Sequence, residues 1–205
     1  MIRIENLNKS FGDHYIFKNF TFTIKQGDFV IFSGKSGSGK TTLLNMIGGI
    51  EQFDSGMILI DDLDLSNNND IIKLYREKIG FLFQNFALVE YKTVEENILM
   101  IDKKYRNDVT VASVLDKVGL SGYEKRKIFT LSGGEQQRIA IARLLMKKCS
   151  IVLADEPTGS LDSYNAEIVM KHINELNKIG KTIIMVTHDE KLKKLGKEPL
   201  LTPKP

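Results

Sequence analysis

The sequence predicts an α/β protein: a mostly parallel sheet core with an N-terminal antiparallel β-subdomain and an inserted helical subdomain. Three observations predict it. An apolar run, Phe29-Val30-Ile31-Phe32, leads through a glycine-rich loop into Leu43, Leu44, Met46 and Ile47 at helical spacing. From about residue 134 onward, strand and helix patterns alternate, as crossover units of a parallel sheet do. From about Asn85 to Thr130 the pattern changes character, and this stretch reads as a helical insertion.

The glycine-rich loop is Gly34-Lys35-Ser36-Gly37-Ser38-Gly39-Lys40-Thr41, followed by Thr42. It fits the phosphate-loop pattern G-x-x-x-x-G-K-[ST], in the strand–loop–helix context that pattern requires. Glycines lack Cβ atoms, so backbone N–H groups can turn inward and approach a polyphosphate. The helix that begins here adds unpaired N–H groups and the positive end of its dipole. Lys40 is placed to reach the β- and γ-phosphates, and the Thr41 hydroxyl to ligate Mg²⁺.

Composition narrows the class. A chain of 205 residues, 42% hydrophobic and 27% charged, has the make-up of a globular protein able to bury a core. No apolar stretch reaches the roughly 18 residues needed to span a bilayer, and Met1-Ile2-Arg3-Ile4 does not open a secretory signal. The single cysteine, Cys149, excludes an internal disulfide and any zinc-ligand cysteine set. A net charge of +3 is too small to argue for nucleic acid. Lys191, Lys193, Lys194, Lys197 and Lys204 read as a solvated tail.

The elements follow in order. Ile2, Ile4 and Leu7, then Phe20, Phe22 and Ile24, predict strands separated by turns at Gly12-Asp13 and Gln26-Gly27-Asp28. Asp54-Ser55-Gly56 predicts a turn before a strand at Met57–Ile60. Ser66–Asp70 predicts a loop capping a helix over Ile71–Lys78, and Ile79–Phe83 a strand apolar on both faces. Thr93 and Glu96 form a capping-box pattern, and Val111, Val114, Leu115 and Val118 repeat at helical spacing as far as Gly119. Helices at Gly134–Lys147 and Asn165–Lys178 and strands at Ile151–Leu153 and Thr182–Val186 complete the alternation.

Two further stretches carry chemistry. Ile151-Val152-Leu153-Ala154 ends in Asp155-Glu156, at the strand end where a doubly wound sheet presents its ligand. Asp155 is placed to hold Mg²⁺, through water, beside Thr41, and Glu156 to polarise an attacking water. Leu131-Ser132-Gly133-Gly134-Glu135 precedes an amphipathic helix, which makes either a second anion site or an ordinary serine cap with a glycine turn.

With these motifs in order, the chain resembles an ATP-binding cassette (ABC) ATPase, the nucleotide-binding subunit of a transporter, with Leu131–Glu135 matching the LSGGE signature. The resemblance runs from residue 1 to about 190 and implies a P-loop NTPase (RecA-like) fold using ATP and Mg²⁺. It implies one ABC ATPase domain: core at residues 1–84 and 136–190, helical subdomain at 85–135, and a short atypical tail at 191–205. Gln84 takes the place of the Q-loop glutamine, touching Mg²⁺ and water and coupling to membrane helices. Ser160-Leu161-Asp162 matches the D-loop, and His188 the switch histidine on the γ-phosphate. Alone, His188 reads as a surface histidine. Phe11 stands where the family stacks an aromatic on adenine, or else is a core residue.

The resemblance also implies a head-to-tail homodimer in which each signature turn closes on the partner's γ-phosphate. It further implies a separate transmembrane permease and a location on the inner face of the cell membrane. Gln84–Leu88 and Ala154–Asp162 resemble ATPases exporting macrolides, antimicrobial peptides and lipoproteins, and Glu95-Glu96-Asn97 resembles members tied to bacteriocin export. Relatives continue past the histidine into a helix and hairpin, whereas Lys191–Pro205 has little strand pattern. The rival reading, an ABC ATPase acting on nucleic acid or ribosomes, calls for two cassettes, a coiled coil or zinc-ligand cysteines; neither nucleic acid nor zinc is expected here. A small GTPase is disfavoured because Asn177-Lys178 is not followed by x-Asp.

Overall fold

The computed structural model describes residues 1–34, 37–189, 192 and 194–197. Two four-stranded sheets share the chain. Strands β1 (Ile2–Phe11), β2 (His14–Ile24), β4 (Ser55–Ile60) and β5 (Leu63–Asp64) form an antiparallel sheet in the order β2-β1-β4-β5. Strands β3 (Phe29–Phe32), β6 (Ile79–Leu82), β7 (Ile151–Asp155) and β8 (Thr182–Val186) form a parallel sheet in the order β3-β8-β7-β6.

Side-chain alternation along the parallel strands sorts the core into two layers. Val30, Phe32, Ile151, Leu153, Ile184 and Val186 face helix α1 (Lys40–Ile47) and the antiparallel sheet, packing with Leu43, Met46, Ile4 and Ile58. Phe29, Ile31, Val152, Ala154, Ile183 and Met185 face the other way. They meet α5 (Gly133–Met146) and α6 (Ser163–Lys178), and the same layer runs on into α3 (Val94–Ile98) and α4 (Val111–Lys117). The strands are apolar on both faces because both faces are covered.

The predicted turn at Gly12-Asp13 joins β1 to β2, and the Thr93–Glu96 capping box is realised. Thr93 Oγ1 accepts the Glu96 N–H at 3.1 Å, while the Glu96 carboxylate accepts the Thr93 N–H at 2.6 Å. Asn97, fully buried, ties this turn to Val89 by accepting its N–H at 2.8 Å and donating to its carbonyl at 3.1 Å. Glu96 and Asn97 therefore have structural duties in the stretch that suggested a bacteriocin-linked subgroup.

Several boundaries differ from expectation; β6, α5 and α6 shift by one or two residues, and four other differences have a structural cause. β4 begins at Ser55, because Asn8 on β1 recruits it into the ladder. The short helix α2 starts at Asn68, where the Asn67 side chain accepts the Asn69 N–H, and continues as a π-helical turn over Leu74–Lys78. β7 runs two residues further, to Asp155, since Asp155 pairs with Val186. In the tail, Lys197 pairs with Val30: its N–H donates to Phe29 O at 2.8 Å, and its carbonyl accepts the Ile31 N–H at 3.0 Å. The remainder of the tail, apart from Leu192 and residues 194–196, lies outside the described residues.

Candidate active site

All four residues of β3 are buried, which fixes the start of the glycine loop at the C-terminal edge of the parallel sheet. Gly39 caps α1 at φ 84, and a Cβ there would lie 2.3 Å from Ile16 Cγ2 and 3.0 Å from the Phe17 ring. Only glycine satisfies both the left-handed backbone and the close approach. The N-terminus of α1 carries no side-chain cap, so its amides remain available to an anion. Lys40 is 4% exposed, and its ammonium donates to the Gly34 carbonyl at 3.0 Å and to Ser38 Oγ at 3.3 Å. Lys35 and Ser36 lie outside the described residues.

A cleft of about 310 Å³ opens above the loop, lined by Ile16, Gly37, Gly39, Lys40, Thr41, Thr42 and His188. At its edge Thr41 Oγ1 donates to Asp155 Oδ1 at 3.2 Å. Burial pushes the Asp155 carboxyl above its ordinary range, against the opposing pull of the Thr41 hydrogen bond and of the His188 and Lys40 charges. Glu156 follows in a left-handed conformation, φ 44, with its N–H bonded to the Val186 carbonyl. Its Oε1 lies 3.2 Å from His188 Nε2, and its Oε2 accepts the His188 N–H at 3.3 Å. The register that pairs Leu82 with Ala154 carries Gln84 to the same sheet edge. Gln84 is exposed there and is not among the cleft's lining residues.

The signature stretch stands apart from this cleft. Ser132 caps α5: its Oγ accepts the Glu135 N–H at 3.3 Å, and Glu135 Oε2 accepts the Ser132 N–H at 2.8 Å. Tyr123 adds a hydroxyl bond to Glu135 Oε1 at 2.9 Å. The Ser132 amide is the main reason the Glu135 carboxyl sits below its ordinary range. Leu131 anchors the turn in the core, while Ser132 and Gly133 face outward. Gly134 is packed so closely that a Cβ would come 2.5 Å from the Asn165 amide. Asn165 in turn belongs to the cap of α6, donating its backbone and side-chain N–H groups to the Asp162 carboxylate at 2.8 and 2.7 Å. Of the D-loop residues, Ser160 is exposed and Leu161 packs on the core.

Phe11 sits at the end of β1, 52% exposed, with the Lys9 ammonium 4.6 Å from its ring centroid. Ile16, not Phe11, lines the cleft, and nothing in the sequence pattern singled Ile16 out. Two residues of α5 were also missed. Gln137, 1% exposed, donates to the Pro157 carbonyl at 2.7 Å, immediately beyond Glu156. Its signal was an amide on the stripe shared with Ile141 and Leu144, otherwise apolar. Arg143 donates to the carbonyls of Phe86 and Ala87.

Residues 17–159 match the family model described as "ABC transporter". The chain belongs to that family. It is 39% identical to the macrolide export ATP-binding/permease protein MacB of Campylobacter jejuni, over 94% of this chain and 31% of that protein. It thus spans about a third of the length of such relatives. It is 40% identical to the uncharacterized ABC transporter ATP-binding protein MJ0796 of Methanocaldococcus jannaschii, over 96% of this chain and 90% of that one. Among solved structures, the dimeric MJ0796 cassette superposes with a TM-score of 0.85 at 38% identity, covering 96% of this chain and 91% of that chain. Its post-hydrolysis dimer bound to ADP and Pi gives 0.84 at the same identity and coverage. This ABC cassette is accordingly an ATPase.

Proposed function

We propose that the chain hydrolyses Mg-ATP at a head-to-tail dimer interface and drives export of a peptide, antimicrobial or lipid-linked cargo through a separate membrane subunit. The observation that carries the composite site is the division of labour within one chain. Two turns present amides at helix N-termini, but only the Gly34–Thr41 loop has the lysine and the Thr41–Asp155 oxygens beside it. The Ser132–Gly133 turn is exposed and does not line its own chain's cleft. A second copy would supply it to the γ-phosphate, and the dimeric state of the similar MJ0796 cassette supports a two-copy arrangement.

In this reading Lys40, Thr42 and the α1 amides bind the phosphates, and Ile16 and Phe11 border the nucleoside. The Thr41 hydroxyl and Asp155 carboxylate, hard oxygen donors 3.2 Å apart, fit Mg²⁺, with Gln84 as a further donor from the adjacent edge. When bound, Mg²⁺ supplies charge neutralisation at the phosphates. Glu156 orients the attacking water and accepts its proton, and His188 bonds the γ-phosphate while its contact with Glu156 keeps that carboxylate aimed. Export is inferred from the name of the macrolide relative, and attachment to the inner face of the membrane would run through the permease. Among the described residues no helix is long and apolar enough to cross a membrane itself.

Glu156→Gln tests the composite site. The variant is expected to bind ATP and accumulate as a dimer at saturating Mg-ATP, read by light scattering. A monomer under those conditions would refute the reading. Export through a separate permease is tested by isolating the chain from its native membrane and identifying the polypeptide that accompanies it.

A further inference from the structure

Beyond β6 the chain turns through Gln84–Ala87, and both Phe86 and Ala87 lie in the left-handed region, φ 62 and 47. Two consecutive non-glycine residues there are strained, the phenylalanine most of all. The turn's own bonds run from the Phe86 N–H to Phe83 O at 3.0 Å and from the Ala87 N–H to Asn85 O at 2.7 Å. The carbonyls of Phe86 and Ala87 are met instead by Arg143 of α5. Its Nη1 donates to Ala87 O at 2.6 Å and its Nη2 to Phe86 O at 3.1 Å.

Among the described residues, no carboxylate lies within ion-pair distance of this guanidinium. Its half-buried charge is satisfied by main-chain oxygens, an arrangement that specifies geometry more than it adds stability. A planar fork holds two neighbouring carbonyls at once, which an ammonium cannot do in the same way. The Phe86 ring also reaches the other end of the helix: its Cζ lies 3.8 Å from where a Cβ on Gly133 would stand. The same turn is therefore bonded by Arg143 and has its Phe86 ring near Gly133, two points about 15 Å apart along α5.

We propose that Arg143, with the Phe86 ring, is a positioning residue that makes the Gln84 turn and the Ser132–Gly134 turn move as one piece. The proposal rests on the roles given above to Gln84 and Ser132. A phosphate docking at Ser132 and Gly133 would displace Phe86 and so shift Gln84, two residues away. Conversely, a push on the exposed Gln84 turn would reach the signature through the guanidinium and the ring.

A double-mutant cycle on ATP turnover by the full chain tests this. Arg143→Lys is expected to lower kcat between about 10- and 100-fold, the cost of a misplaced positioning group, while KM for Mg-ATP stays within about threefold. In a Gln84→Ala background the same change is expected to cost less than about threefold, since no side chain remains to be positioned. Equal losses in both backgrounds, or a folded Arg143→Lys variant with unchanged kcat, would overturn the proposal. An effective Gln84→Ala with an additive Arg143→Lys overturns the proposal alone, whereas a silent Gln84→Ala overturns both it and the role of Gln84. Should Arg143→Lys fail to fold, Phe86→Leu keeps the core contact and loses the ring on Gly133. The same non-additivity with Gln84→Ala is expected of it, and additivity counts against the proposal.

Discussion

The Thr41 hydroxyl lies 3.2 Å from the Asp155 carboxylate, although 114 residues separate the two in the chain. The contact joins the first turn of α1 to the end of β7, and it forms because β3 and β7 both pair with β8. Phe32 and Asp155 share Val186 as their partner on that central strand. Sheet order alone therefore sets the loop proposed to bind phosphate beside the carboxylate proposed to complete a hard-cation site.

Lys40→Ala and Ser132→Arg address the two ends of the proposed composite site. Lys40 is expected to contribute transition-state charge stabilisation, so its loss should lower kcat by about two to three orders of magnitude. Ser132→Arg removes the cap acceptor and places bulk on an outward-facing turn, so it should abolish ATP-dependent dimerisation. Phosphate release and light scattering read the two effects, and unchanged turnover in both variants contradicts the clasped-triphosphate arrangement.

Asp155 carries a burial penalty that a cation at its proposed site would offset. Because its folded pKa is raised, the folded state holds the proton more tightly than the unfolded chain. This group's contribution to stability is present below the unfolded carboxylate pKa and is lost as pH rises through the folded one. Asp155→Asn should therefore raise the Tm of the nucleotide-free protein at neutral pH while turnover falls. The Tm gain should shrink as pH is lowered through the carboxylate range. A lower Tm at neutral pH would contradict the burial argument.

The Ser132 cap has the opposite pH sign. Glu135 is held below its ordinary pKa, chiefly by the Ser132 amide, so its contribution is present above the unfolded pKa and lost as pH falls through the folded value. Ser132→Ala should cost about 0.5–2 kcal/mol in denaturant unfolding, and because the variant keeps the backbone N–H that holds Glu135, acidification through the carboxylate range should destabilise both proteins alike.

Gln137 fills the Pro157 carbonyl from within the core. Gln137→Leu keeps the volume and leaves that acceptor buried without a donor, at a cost of about 1–3 kcal/mol. Urea unfolding should show the loss as a lower midpoint at unchanged slope, and no change would mean that water replaces the amide or that losing the buried, unpaired Gln137 Oε1 offsets the cost.

Gly134 admits no side chain without moving Asn165. Gly134→Ala should dislodge the Asn165 amide from Asp162, fray the first turn of α6 and lower Tm. Amide exchange at residues 163–166 would report the fraying directly.

Much of this architecture was legible in the sequence because the signals were local. The Gly34–Thr41 loop lies between an apolar strand and a helix that declare themselves by periodicity. Thr93 and Glu96 announce their capping box by spacing alone, and Ile151–Ala154 ends at its carboxylates. Boundaries set by a partner strand were not legible: β4 starts at Ser55 because of Asn8, and Lys197 joins the sheet because β3 offers a free edge. Arg143, Gln137 and Ile16 were missed for the same reason, since each acts on a residue between about twenty and sixty positions away.

The sequence by itself determined most of the strands and helices, though not the short strand β5, and which of them end in groups able to hold phosphate, a cation and water. Hydrogen bonding and apolar periodicity act over a few residues, so a linear pattern suffices for that. Only the tertiary structure decided which ends meet, that Ile16 rather than Phe11 walls the cleft, and that one helix grips both the Gln84 and Glu156 turns. Those outcomes depend on strand order and on close packing between distant side chains, which no local pattern encodes.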